Sequence, residues 1–196
     1  MNVLLNKQDK LHISGTIILN EVLLPILNKY GKVIIGGSYT YNLLSHPDLD
    51  IDIVSENITK ETFVALSAEL LQLQHTSEFQ SADRVNFLHK HPGKRPVGYW
   101  ISPAINFEDS IWKIDIWLQK LESYTGDTNK YAQELLSLND EKRVAILSLK
   151  EELLGKKIYG VGKEFLSVDV YEGVFRDNVR TIDDLRDFMS SRKQDF

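Results

Sequence analysis

Apolar residues recur at helical spacing from Ile17 to Tyr30, at Ile18, Val22, Leu23, Ile26 and Leu27, and Gly31 stands where a helix C-cap belongs. Val33, Ile34 and Ile35 then predict a buried strand, since β-branched side chains fit a covered pleated sheet. A short helix is expected over Tyr39 to Leu44, opening directly after Ser38. The next strand, Leu49 to Val54, turns Leu49, Ile51 and Ile53 to one face and acidic residues to the other. Thr59 is placed to cap a helix through Leu73 whose stripe is Phe63, Leu66, Leu70 and Leu73. Strands are expected over Arg84 to His89, Val97 to Ser102 and Ile111 to Leu118, the polar loop "HKHPGKRP" joining the first two as a hairpin. From Asp140 the pattern is helical, with Val144, Leu147 and Leu154 on the packed face and Gly155 as a stop. A last helix runs from Ile182 to Ser191, capped by Thr181 with Asp184.

This order predicts an α/β chain of the α+β kind. A mixed sheet of about four or five strands flanked by helices occupies residues 1–122, and a helical part follows over 123–196. A length of 196 residues suits one sizeable core with a helical appendage. The 42% apolar and 26% charged content, without repeats or low-complexity tracts, implies an ordered globular chain. The absence of cysteine excludes a disulfide framework, thiolate zinc ligation and a cysteine nucleophile, and agrees with a cytoplasmic protein. The opening "MNVLLNKQDKLH" has too short an apolar run for a signal peptide. No later segment reads as approaching the ~20 apolar residues of a membrane span, so no membrane partner is expected. A net charge of −5 gives no general attraction to phosphate backbones, and nucleic acid is not expected as a partner.

Candidate chemistry is concentrated in "VIIGGSYTYNLLSHPDLDIDIV", Val33 to Val54. Alternate strand residues point the same way about 6.5 to 7 Å apart, so Asp48, Asp50 and Asp52 form a ladder of carboxylates. Like charges so arranged repel unless cations neutralise them, and hard divalent ions such as Mg²⁺ take carboxylate oxygens. Asp is also depleted in strands, which argues against a merely solvated acidic edge. Gly36, Gly37 and Ser38 lie between a buried strand and a helix start, where the backbone can approach a phosphate closely; a plain tight turn has the same composition. Asp115 is the one acidic residue in the apolar strand "IWKIDIWL", on the face it shares with Lys113 and Trp117, and a buried carboxylate there needs a salt-bridge partner or a metal.

Taken together, strand, Gly-Gly-Ser, short helix, nine residues, "DLDIDI" and a later "KIDIW" resemble the DNA polymerase β-like nucleotidyltransferase superfamily, in particular its antibiotic- and small-substrate-modifying branch. The matching elements span residues 17 to 118. The resemblance implies two Mg²⁺ ions, with Mn²⁺ as a substitute, on Asp48, Asp50 and Asp115. It implies a nucleoside triphosphate held through its β and γ phosphates by Gly36, Gly37 and Ser38. Asp115 would lie near the acceptor-activating ion and help take the acceptor proton. The chain carries one aspartate more than the family pattern. Either Asp48 with Asp50 or Asp50 with Asp52 meets the spacing; Asp48 with Asp50 is favoured because Pro47 marks the strand's mouth, which leaves Asp52 as a deeper orienting group.

The expected activity is transfer of a nucleoside monophosphate from a nucleoside triphosphate to a hydroxyl of a small molecule or protein. A polynucleotide or tRNA acceptor, a non-catalytic nucleotide- or partner-binding module of the same fold, and a purely structural acidic edge strand stand as alternatives. His89, Lys90, His91, Lys94 and Arg95 form a basic loop suited to an anion or to solvent. His46 precedes the aspartates, as a histidine does in some antibiotic nucleotidyltransferases, though a lone histidine is more often a surface residue. Trp100, Trp112 and Trp117 suit base stacking, with core packing expected for at least two of them; Tyr39 and Tyr41 read as packing residues. The apolar stripes of the C-terminal helices serve a pocket cover or a homodimer face equally well.

Overall fold

The computed structural model describes residues 2–86, 96–126 and 131–192. The chain divides into a sheet unit, Lys10–Asp127, and a helical unit that combines Met1–Asp9 with Thr128–Phe196.

The first helical run is longer than its apolar spacing predicts. It comprises α1 (Val3–Ile17), a π-helical turn (Ile18–Leu23) and α2 (Leu24–Leu27). The π turn comes just before Pro25, which lacks an amide donor and whose ring would clash with the carbonyl four residues back in a regular helix. By length and composition the run Val3–Leu27 passes for a membrane span, contrary to expectation. Its apolar stripe is nevertheless accounted for by the sheet unit, where Ile18, Leu19, Leu23 and Leu27 lie in the core.

Five strands form one mixed sheet in the order β1-β2-β5-β4-β3. They are β1 (Lys32–Gly36), β2 (Asp48–Ser55), β3 (Thr76–Asp83), β4 (Tyr99–Phe107) and β5 (Ser110–Lys120). Only β2 and β5 run parallel; the other neighbours are antiparallel. Leu49, Ile51 and Ile53 of β2 and Ile114 and Ile116 of β5 face the core, joined there by Leu66 and Leu70 of α4 (Lys60–Leu71). That helix starts as expected, with Thr59 and Thr62 in a reciprocal cap.

Two expectations fail locally. The helix after Ser38 shrinks to the single turn α3 (Gly37–Thr40), after which Asn42 takes a positive φ of 54°. Of the strand expected over Arg84 to His89, the described part, Arg84 to Asn86, is not strand and the rest lies outside the described residues. The strand just before it is β3, whose polar sequence "TSEFQSAD" offers no apolar alternation because it is an edge strand with half its side chains exposed and none buried. The hairpin into β5 turns through Glu108 and Asp109, with Glu108 at φ 50°. The loop "HKHPGKRP" falls largely outside the described residues, as do His89, Lys90, His91, Lys94 and Arg95.

The helical unit contains α5 (Ala132–Leu136), α6 (Asp140–Gly155), α7 (Ser167–Arg176) and α8 (Ile182–Arg192). Helix α6 buries Ile146, Leu149, Lys150 and Leu153 along with Leu147, so its packed face is rotated from the expected stripe and includes a lysine. Thr181 and Asp184 cap α8 reciprocally, with bonds of 3.1 and 3.0 Å.

Candidate active site

The carboxylates stand where the two parallel strands meet. Asp50 is the register partner of Asp115, and Asp48 is the partner of Lys113. Neighbouring strands lie about 4.8 Å apart and alternate residues about 6.5 to 7 Å apart, so these four side chains mark the corners of a small rectangle on one sheet face. Each aspartate is partly exposed, while Leu49, Ile51, Ile114 and Ile116 between them are buried. One face of β2 and β5 therefore anchors the strands and the other presents acid.

Gly36 pairs in register with Asp50, which brings the end of β1 beside the carboxylates. Gly37 has φ +65°, and a Cβ built there would run into the Asp50 carboxylate. A side chain is thus excluded twice, by backbone conformation and by the acid packed against it. Ser38 follows within α3, so Gly36, Gly37 and Ser38 all lie at the Asp48–Asp50 end of β2. Asp52 lies farther along the strand, paired with Trp117, and its Oδ1 accepts a 2.7 Å hydrogen bond from Gln119 Nε2.

Asp115 is closely held. Trp100 Nε1 donates to its Oδ1 at 3.2 Å, and the Lys113 ammonium donates to its Oδ2. Partial desolvation pulls the Lys113 pKa down, but the hydrogen bond to Asp115 and the charges of Asp115, Asp48 and Asp50 outweigh it and raise the ammonium above the ordinary lysine range. His46 Nε2 lies 3.8 Å from Asp48 Oδ2, with its Nδ1 3.2 Å from Ser45 Oγ, so this histidine borders the cluster.

The tryptophans separate as expected for only one of them. Trp112 is buried in the core, packed within 3.2 Å of where a Gly15 Cβ would stand. Trp100 and Trp117 are register partners on the aspartate face and partly exposed, and Arg84 lies over Trp117 at 5.5 Å. Tyr39 stacks on His12 at 4.4 Å and shares a 2.9 Å hydrogen bond with Thr16, while Tyr41 is buried; both pack. Gln119 is not singled out by the sequence reading, and the reading of Trp100 as a stacking or packing side chain does not include its bond to Asp115. The signal for Lys113 was its position two residues before Asp115, on the same strand face.

The donor chemistry suits a hard divalent cation: carboxylate oxygens at a partly exposed sheet end, beside a backbone bend that carries no side chain of its own at Gly36 and Gly37. Among the described residues, however, no three acidic, histidine or cysteine side chains are gathered closely enough to hold an ion as they stand. Asp115 Oδ2 is instead engaged by the Lys113 ammonium.

No protein-family model matches the chain, and no curated protein matches it in sequence. Its fold is similar to that of a chain in the structure of the non-canonical poly(A) polymerase complex GLD-2 – GLD-3, with a TM-score of 0.54 at 13% identity. The match covers 89% of this chain and 58% of that one, so this chain spans less than two thirds of its neighbour's length. The likeness is one of fold, a nucleotidyltransferase-like mixed sheet flanked by helices.

Proposed function

We propose that the protein is a metal-dependent nucleotidyltransferase whose site is formed by Asp48, Asp50 and Asp115 with Gly36, Gly37 and Ser38. The observation that carries this reading is the register pair Asp50–Asp115, flanked by Asp48, with Gly37 packed against Asp50 where no side chain can stand. In the reaction an acceptor hydroxyl oxygen bonds to the α-phosphorus of a nucleoside triphosphate. The α–β phosphoanhydride bond breaks, pyrophosphate leaves, and the hydroxyl proton passes to a carboxylate or to solvent.

Asp48, Asp50 and Asp115 would hold Mg²⁺, which supplies charge neutralisation at the phosphates and activation of the acceptor hydroxyl. The chain's own groups do the rest. The Gly36–Gly37 bend admits phosphate oxygens close to the backbone, Ser38 offers a hydroxyl donor, and Trp100 fixes the orientation of Asp115. The acceptor proposed is a hydroxyl of a small molecule or a protein. A polynucleotide end is the second reading, raised by the likeness to a poly(A) polymerase complex, and the net charge of −5 weighs against it.

Calorimetric titration of the full chain with each of the four nucleoside triphosphates, with and without Mg²⁺, tests the proposal. Binding that requires Mg²⁺ and is lost in Asp50→Asn and weakened in Asp115→Asn is the expected result. Triphosphate binding that ignores both the metal and these substitutions would leave a nucleotide-binding module of this fold.

A further inference from the structure

Lys113 is a basic residue built into an acidic rectangle. It faces Asp48 across the β2–β5 pair and shares its strand face with Asp115, to which its ammonium is hydrogen bonded. A strand position opposite one aspartate and two residues from another is electrostatically favourable for a cation. The lysine side chain is 56% exposed, whereas that of Asp115 is 20% exposed. The carboxylate is therefore fixed between neighbours, and the ammonium sits at the end of a long arm with solvent to move into.

We propose that Lys113 is an internal counter-ion that holds Asp115 in the metal-free protein and competes with a divalent cation for it, so that metal loading requires the ammonium to withdraw. This rests on the metal-dependent reading of the same carboxylates. It accounts for two facts at once: the acids lie together in register, yet among the described residues no three of them converge as a ready-made ion site. Lys113 acts here as a positioning residue, setting where Asp115 points and how strongly an ion must bind to displace it.

The test is Mn²⁺ binding to the full chain, followed by calorimetry and by electron paramagnetic resonance of free Mn²⁺, with Lys113→Met, Lys113→Gln and Lys113→Arg. Removing one partly exposed contact charge is expected to tighten Mn²⁺ binding about five- to tenfold in Lys113→Met and Lys113→Gln. Lys113→Arg, which keeps the charge, is expected to stay near the native affinity. In an Asp115→Asn background the gain from Lys113→Met is expected to shrink to less than about twofold, the remainder coming from the lysine's charge near Asp48 and Asp50. Without metal, Lys113→Met is expected to melt at a lower temperature and to regain the difference in saturating Mn²⁺, a recovery that a purely structural role for the lysine does not predict. Equal Mn²⁺ affinity in the native chain and both neutral variants would overturn the competition while leaving the metal site intact. Absence of Mn²⁺ binding in all of them would overturn the competition and the metal-dependent reading together.

Discussion

Each unit of this chain carries one concentrated polar cluster, and the two are built to opposite specifications. In the helical unit, Lys150 is wholly buried beneath the rings of Tyr159 and Tyr171, each 5.9 Å away. Glu172 is bound by Arg176 at 3.1 Å and Arg192 at 2.8 Å, and Asp169 accepts the Leu166 amide at 2.8 Å. There the basic side chains match or exceed the acids. In the sheet unit Asp48, Asp50, Asp52 and Asp115 share one face with Lys113, and all the aspartates are partly exposed. Two carboxylates about 5 Å apart repel by roughly 3 kcal/mol at an effective dielectric near 20, and one exposed ammonium cannot cancel several such terms. The first cluster is complete as folded. In the second, the acids outnumber the bases that the described contacts set beside them, and every aspartate keeps some exposure to solvent.

The comparison breaks most readily at Asp50. Asp50→Asn is expected to lower Mg²⁺-dependent nucleotidyl transfer about a hundredfold or more, since ion binding and phosphate neutralisation together supply several kcal/mol. The same substitution is expected to leave the melting temperature unchanged or raise it, because it removes a like charge from the rectangle. Loss of folding in Asp50→Asn would show the cluster to be structural after all. In the helical unit the sign reverses. Glu172→Gln, read by chemical denaturation, is expected to cost about 1 to 2 kcal/mol because it removes the buried carboxylate that Arg176 and Arg192 bind, with solvent screening at these partly exposed arginines reducing the full penalty.

Glycines sharpen the contrast at a smaller scale. Gly37→Ala must place a methyl group against the Asp50 carboxylate at a positive φ, at a backbone cost of about 1 kcal/mol. The carboxylate must also rotate away, so transfer activity is expected to fall about tenfold, more than the stability change alone would produce. Gly155→Ala, at the end of α6 where a Cβ meets nothing within 4 Å, is the matched control. It is expected to raise stability by about 0.5 kcal/mol and to leave triphosphate binding unaltered. Equal responses to the two substitutions would mean that Gly37 is an ordinary turn.

How much of this was legible depended on whether a residue's role was carried by its own neighbours in sequence. Strand β2 announced itself because buried aliphatics alternate with acids, and α4 and α8 did so through Thr59 and the Thr181–Asp184 cap. Strand β3 escapes the pattern because its pairing to β4 is a backbone affair and none of its side chains is buried. The face of α6 was misjudged because Lys150 occupies a core position that a hydrophobic stripe cannot include. The cluster of acids and glycines was visible as a spacing. The β2–β5 register that sets Asp50 against Asp115 and Lys113 against Asp48 is a long-range pairing that no local pattern encodes.

The smallest expected effect decides which pair of aspartates is the reactive one. Asp52 lies away from the Gly36–Gly37 bend, pairs with Trp117 rather than with an acid, and is already engaged by Gln119 at 2.7 Å. Asparagine can keep that hydrogen bond through its own Oδ1, so Asp52→Asn is expected to change triphosphate binding and transfer by less than about threefold. Asp48→Asn, at the position facing Lys113 and bordered by His46, is expected to approach the Asp50→Asn loss. If instead Asp52→Asn is severe and Asp48→Asn mild, the reactive pair is Asp50 with Asp52. The Asp48 end, together with its lysine and histidine, would then belong to the entrance of the site rather than to its chemistry.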